Sequence, residues 1–251
     1  MDFHHSRKYG RGMSHDPYSH HPELAELITP AEDSFFRDFS TEKLEALLME
    51  KGLPTGWWHT DEHRNAIRKE ALMNRRDDDL WVFAYGSLMW DPAIKFAEVR
   101  RAHVDGYRRR FIVKDIYGAR GTKASPGLMA ALDQGGACDG LAFRIEIQAI
   151  EEETDILWRR EGLTAAYLPR FVAAQIGDAT VEALTFVADH SADIIEPNLS
   201  KDQQLNYFAN GTGFLGSSAE YLEGIASHFE RLGIEDGEVF GMLKELHQLS
   251  R

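Results

Sequence analysis

The feature that most constrains this chain is a succession of short, strand-like apolar runs between positions 81 and 187, followed by a stretch that reads only as helix. The runs cover 81–85, 98–104, 107–113, 128–133, 140–147, 167–176 and 181–187. They alternate with loops more than with helices, and a single helical pattern, about 149–161, interrupts them. Helical periodicity then takes over at 201–209, 218–232 and about 236–249. A β-rich centre with helices around it predicts an α+β fold, a small closed or nearly closed β-barrel with flanking helices and a helical C-terminus.

Ahead of that domain, expected over 80–251, residues 26–79 have a different character. Ser40-Thr41-Glu42-Lys43 opens a helix whose apolar stripe is Leu44, Leu47, Leu48 and Leu53. A second helical stretch follows Trp57-Trp58, from about 60 to 74. Two helices cannot bury a core alone, so this extension must pack on something larger. Residues 1–25 carry His4, His5, His15, His20 and His21 among polar residues without periodicity, which reads as a disordered tail. The histidines lack the spacing of a metal site, so no metal is expected.

With 251 residues and a net charge of -13, the chain argues against a partner that needs a basic face, so neither nucleic acid nor membrane is an expected partner. An acidic balance still allows an anionic small molecule, because a local arginine or backbone amides can hold a carboxylate. No apolar run approaches the roughly 20 residues that span a bilayer, and the N-terminus lacks an apolar signal core. Cys138 is the single cysteine, so no intrachain disulfide forms and the cytoplasm is the expected compartment. Lying between Gly135-Gly136 and Gly140, Cys138 is expected in a turn.

Glu161 is the most informative position. At about 100° per residue, Ile150, Thr154, Leu157 and Trp158 fall on one stripe of their helix, and Glu161 lies near its centre. Glu151, Glu152, Asp155 and Arg159 point elsewhere. A carboxyl turned inward at a helix C-terminus meets desolvation and the negative end of the helix dipole, and both raise its pKa. General acid/base catalysis needs a carboxyl of that kind. The same phase also suits a structural glutamate paired with Arg159, Arg160 or Arg170, so both readings stand at this point.

The other informative segment is Phe83-Ala84-Tyr85-Gly86-Ser87-Leu88-Met89-Trp90. Glycine and serine just after a buried strand expose backbone N–H groups, and such a nest binds a carboxylate or an oxyanion. Ser87 does not sit in Gly-x-Ser-x-Gly, and no Gly-Lys-Ser/Thr follows, so neither a nucleophile elbow nor a phosphate loop is present.

Trp81 to Trp90 resembles the opening strand and loop of the ChaC family of glutathione-specific γ-glutamylcyclotransferases. Later segments resemble that family in the same order. They are Arg109-Arg110-Phe111; Arg120-Gly121 with Pro126-Gly127-Leu128; Leu157-Trp158-Arg159-Arg160-Glu161 with Tyr167-Leu168-Pro169; and Gly213-Phe214-Leu215-Gly216-Ser217 with Glu220-Tyr221-Leu222. The resemblance covers about 80–249, and Ala84 stands where many members carry glycine.

The resemblance implies a cyclotransferase-type barrel and a cofactor-independent reaction on glutathione. It makes Glu161 the catalytic carboxylate and Tyr85, Gly86, Ser87 and Leu88 the γ-glutamyl-binding loop. Tyr221 is a candidate to reach the same site, with core packing as the alternative. Arg109, Arg110 and Arg120 are candidates for the glycine carboxylate, with a structural or surface role the weightier alternative for any one of them; Tyr167 reads as structural. Two alternatives stay in view: a cyclotransferase for other γ-glutamyl amino acids or amines, and a non-catalytic binding module on the same fold.

Overall fold

The computed structural model describes residues 16–75 and 77–249. Strands β1 (Leu80–Ala84), β2 (Glu98–Tyr117), β3 (Thr122–Ile145), β4 (Tyr167–Ile176) and β5 (Ala179–Ala188) close into a barrel in the order β1-β3-β2-β4-β5. Closure comes from β1 lying parallel to β5, with Trp81 opposite Ala183 and Val82 opposite Leu184. The other neighbours in that order pair antiparallel. Closure leaves no sheet edge among these strands to attract a partner strand.

The runs at 98–104 and 107–113 read as separate strands, yet they form one, and so do 128–133 and 140–147. The gap between the first two is a bulge: register shifts between Asp105 and Tyr107, and Gly106 sits at φ +83°. Gly135 and Gly136, at φ +95° and +73°, face that point on β3. A bulge interrupts alternation just as a turn would, but the strand bends and continues. Cys138 is accordingly not in a turn; it lies in β3 opposite Val104, buried, and burial pushes its thiol up to about 11.

The short strand β1 is buried on both faces, as its unbroken apolar run requires. Val82 and Ala84 pack into the main core, while Phe83 and Tyr85 point into a second apolar cluster with Val104, Leu132 and Ala174. That alternation places Tyr85 before the chain turns.

Helix α1 (Thr41–Glu50) is capped by Ser40 and α2 (Asp61–Ala71) by Thr60; each side-chain oxygen accepts a backbone N–H of the first turn. Helix α2 and the segment just before α1 are tied to α3 (Ile150–Glu161). Arg68 donates to Thr154 Oγ1 at 3.0 Å and pairs with Glu151 at 2.6 Å, and Arg37 pairs with Glu152 and Glu153. The stretch expected as a tail is folded from residue 16 onward. Leu24 is fully buried, and Pro17 O accepts the Val99 amide at 3.0 Å. Order there follows from Leu24, which has a core to enter. The rest of that tail, with His4, His5 and His15, lies outside the described residues.

Helices α4 (Lys201–Asn210), α5 (Ser218–Leu232) and α6 (Gly237–Leu249) complete the chain, with the small hairpin β6 (Thr212–Gly213) and β7 (Gly216–Ser217) between the first two. Among the described residues no helix is long and apolar enough to cross a membrane.

Candidate active site

Helix α3 buries Ile150, Thr154, Leu157 and Trp158, the stripe its sequence marks out. Glu161 continues that stripe into a pocket of about 310 Å³. Its side chain is 14% exposed, and Arg160 Nε lies 3.0 Å from Oε1. Burial raises its pKa and the adjacent guanidinium opposes the rise, with the net direction upward. The two readings left open by helical phase therefore meet in one group: Glu161 is paired with Arg160 and is still pushed toward the neutral acid. Gly162 ends the helix, and a Cβ there would come within 2.8 Å of Trp158 O.

Opposite Glu161, the chain leaves β1 through Tyr85 and Gly86 into a single 3-10 turn, Ser87–Met89. The amides of Met89, Trp90 and Asp91 bond back to Gly86 O and Ser87 O. The amides of Gly86, Ser87 and Leu88 precede that ladder and have no carbonyl of the turn to donate to. Arg160 ties the turn to the helix, since Nη2 donates to Ser87 Oγ at 2.7 Å and Nη1 to Asp91 O at 2.5 Å. Asp91 also lines the pocket, and its Oδ1 is buried without a hydrogen-bond partner among the described residues.

The third wall comes from the β2–β3 hairpin and the start of α5. Gly121 and Gly127 lie where the backbone crosses itself: a Cβ on Gly121 would meet Gly127 N at 1.9 Å, and one on Gly127 would meet Arg120 O at 2.3 Å. This crossing presents Ala119 and Arg120 to the pocket. The Arg120 guanidinium donates to Leu215 O and lies 5.3 Å from the Tyr221 ring centre, and burial lowers its pKa. A capping box between Ser217 and Glu220 sets the start of α5, so Tyr221 falls in its first turn facing β3. There Tyr221 Oη accepts the Ala130 amide at 3.3 Å, while Tyr167 Oη donates to Ala130 O at 3.0 Å.

Tyr85, Gly86, Ser87, Leu88, Arg120, Glu161 and Tyr221 thus line one pocket. The Tyr85 and Tyr167 hydroxyls are pushed well above the usual phenol range by burial, with the Glu161 charge adding to the rise. They remain neutral hydrogen-bonding groups at physiological pH. Arg109 does not reach the pocket. It is buried, donates to Tyr85 O at 2.6 Å, pairs with Asp236 and lies over the Phe229 ring. Arg110 is likewise held by Asp133 and Pro197 O.

Sequence reasoning offered Arg160 only as a possible partner of Glu161 and missed its bond to Ser87, along with Asp91, the inward role of Tyr167 and an aromatic wall from the N-terminal extension. Position Arg160 is adjacent to Glu161 but off its stripe, so periodicity carries no signal for it. Among the described residues no three His, Cys, Asp or Glu side chains gather into a metal-binding group; His20 instead faces Glu98 at 3.3 Å.

A family model described as ChaC-like protein matches residues 80–249. Among similar proteins, the glutathione-specific gamma-glutamylcyclotransferase of Escherichia coli (strain K12) is 33% identical over 190 residues, 75% of this chain and 82% of that one. The glutathione-specific gamma-glutamylcyclotransferase 1 of Homo sapiens is 28% identical over 171 residues, 65% of this chain and 77% of that protein. A crystal structure of a glutathione-specific γ-glutamyl cyclotransferase from yeast superimposes with a TM-score of 0.63 at 17% identity, covering 68% of this chain and 97% of that one. That likeness is one of fold.

Proposed function

The chain belongs to the ChaC-like protein family, and from that premise we propose that it cleaves glutathione to 5-oxoproline and cysteinylglycine by intramolecular cyclisation, with Glu161 as the acid/base. The observation that carries the reading is the juxtaposition of a single carboxyl of raised pKa with the Gly86-Ser87 turn in one pocket.

In a γ-glutamyl amide the substrate's own α-amino nitrogen can reach its γ-carbonyl carbon and close a five-membered ring. The protein supplies no nucleophile; it folds the glutamyl chain into the reactive conformer. Glu161 as carboxylate takes a proton from the α-ammonium, and the freed amine forms the new C–N bond. The oxyanion that results faces the amides of Gly86, Ser87 and Leu88, which meet developing charge without reorganising. Collapse breaks the original amide bond; the ring nitrogen gives up the second proton it carries in excess of the lactam, and with Glu161 as the relay both protons pass to the departing cysteine nitrogen, which leaves as an ammonium. No water is consumed, so the products are a lactam and an amine. Tyr85 and Tyr221 bound the polar end of the cavity, and Arg120 supplies a positive charge for a substrate carboxylate.

Incubation with glutathione and separately with γ-glutamyl-alanine, following 5-oxoproline release, tests the reading. Turnover of glutathione is expected. If γ-glutamyl-alanine alone were turned over, the substrate would be a different γ-glutamyl compound.

A further inference from the structure

Residues 35–57 lie outside the matched region 80–249, yet they build one side of the pocket. Phe36, Phe39 and Trp57 line it, and Phe35 stands at its solvent side, 56% exposed.

These rings are held in place. Arg159 Nη1, on the helix that carries Glu161, donates to Phe39 O at 2.9 Å. Arg160 Cζ lies 4.1 Å from the Phe36 ring centre, and the same guanidinium contacts Glu161 and Ser87. A single side chain therefore touches the aromatic wall, the acid and the loop. Trp57 stacks on Tyr117 with centroids 4.5 Å apart and planes within 10°, and its indole N–H donates to Pro54 O at 2.9 Å.

The pocket is consequently two-sided. Glu161, the Gly86-Ser87 turn and the tyrosine hydroxyls provide its polar side. A γ-glutamyl group carries an ammonium and a carboxylate, and it needs that side. The residue beyond the scissile amide is then left facing the rings. We propose that Phe36, Phe39 and Trp57, with Phe35 at the rim, form a specificity wall that reads the side chain of the residue bonded to the γ-carbonyl. It favours a small polarisable group such as a thiol, because sulfur packs well against aromatic edges. The inference rests on the cyclotransferase reading above.

The test compares glutathione with γ-glutamyl-glycyl-glycine, which lacks only the CH2–SH group, on wild-type enzyme and on Phe36→Ala, Phe39→Ala and Phe35→Ala. A small apolar group read by a pocket is worth about tenfold or more in kcat/KM, so the wild-type ratio should favour glutathione by that much. The Phe36 and Phe39 variants should bring the ratio to within about threefold of one by losing activity on glutathione alone. Phe35→Ala, at an exposed position, should narrow it less, and it carries the test if the Phe36 and Phe39 variants fail to fold. A wild-type ratio near one, or a ratio that folded variants leave unchanged, overturns the wall. Release of 5-oxoproline from neither substrate overturns the cyclotransferase reading instead.

Discussion

Glu153 and Glu161 are the same residue type on the same helix, a little over two turns apart, and both are turned away from solvent. Their surroundings differ. Glu153 lies in the first turn of α3, where the helix dipole favours negative charge. It pairs with Arg37 and accepts the Lys95 amide at 2.8 Å. Glu161 ends the helix, where the dipole disfavours charge, and a single guanidinium and an open pocket face it. One carboxylate is saturated by fixed donors and ties the N-terminal extension to the helix. The other, partnered by Arg160 among the described residues, keeps lone pairs free for the proton transfer proposed for it. The contrast teaches that partners, more than depth of burial, separate a structural carboxylate from one suited to react.

The sharpest break in that comparison is Glu161→Gln. It should lower kcat for 5-oxoproline release by about 10²–10⁴-fold, the span of positioned acid/base catalysis, while the thermal melt shows an intact fold. A Gln variant of undiminished rate would remove Glu161 from the chemistry. Glu153→Ala should do the reverse. Losing one partner of a buried pair leaves Arg37 poorly compensated and costs about 3 kcal/mol, read by urea unfolding. The folded fraction should keep kcat within about twofold, since Glu153 does not line the pocket. A kcat loss as deep as that of Glu161→Gln would erase the distinction between the two ends.

The smallest effect is in pH dependence. The Glu161 pKa in the folded state is raised above its ordinary value of 4.5, chiefly by desolvation. The native state therefore binds the proton more tightly than the unfolded chain does. Stability from this group is fully present below the unfolded pKa and is lost as pH rises through the folded one. Relative to Glu161→Gln, wild-type stability should decline from about pH 4.5 upward, in paired urea melts. Over the same window kcat/KM should rise with pH, because the base must be ionised to act. A stability difference independent of pH would mean that the carboxyl titrates normally.

Much of this site can be read along the chain, because it depends on local geometry. The phase of α3 turns Glu161 inward, and the apolar run ending at Gly86 makes a buried strand followed by a turn that lines the pocket. The capping signal Ser217-x-x-Glu220 sets where α5 begins and so where Tyr221 points. Arg109 shows where that reading stops. Its motif position alone could not distinguish a pocket arginine from one buried under Tyr85 O and Asp236, since both outcomes share the same strand. The long strands β2 and β3 taught a related lesson: an Asp-Gly or Gly-Gly break marks a bulge or a turn according to what pairs across it.

By itself the sequence determined the class of fold, the order of its elements, the inward face of α3 and, through resemblance, the chemistry to expect of Glu161. Periodicity and capping act within one element, so they are written locally. Only the tertiary structure decided that Arg160 would join Glu161 to Ser87, that Tyr167 and Tyr221 would bracket Ala130, and that Phe36, Phe39 and Trp57 would wall the pocket. Each of those depends on segments far apart in the chain meeting at one place, and packing between elements is set by the shape and charge of both partners.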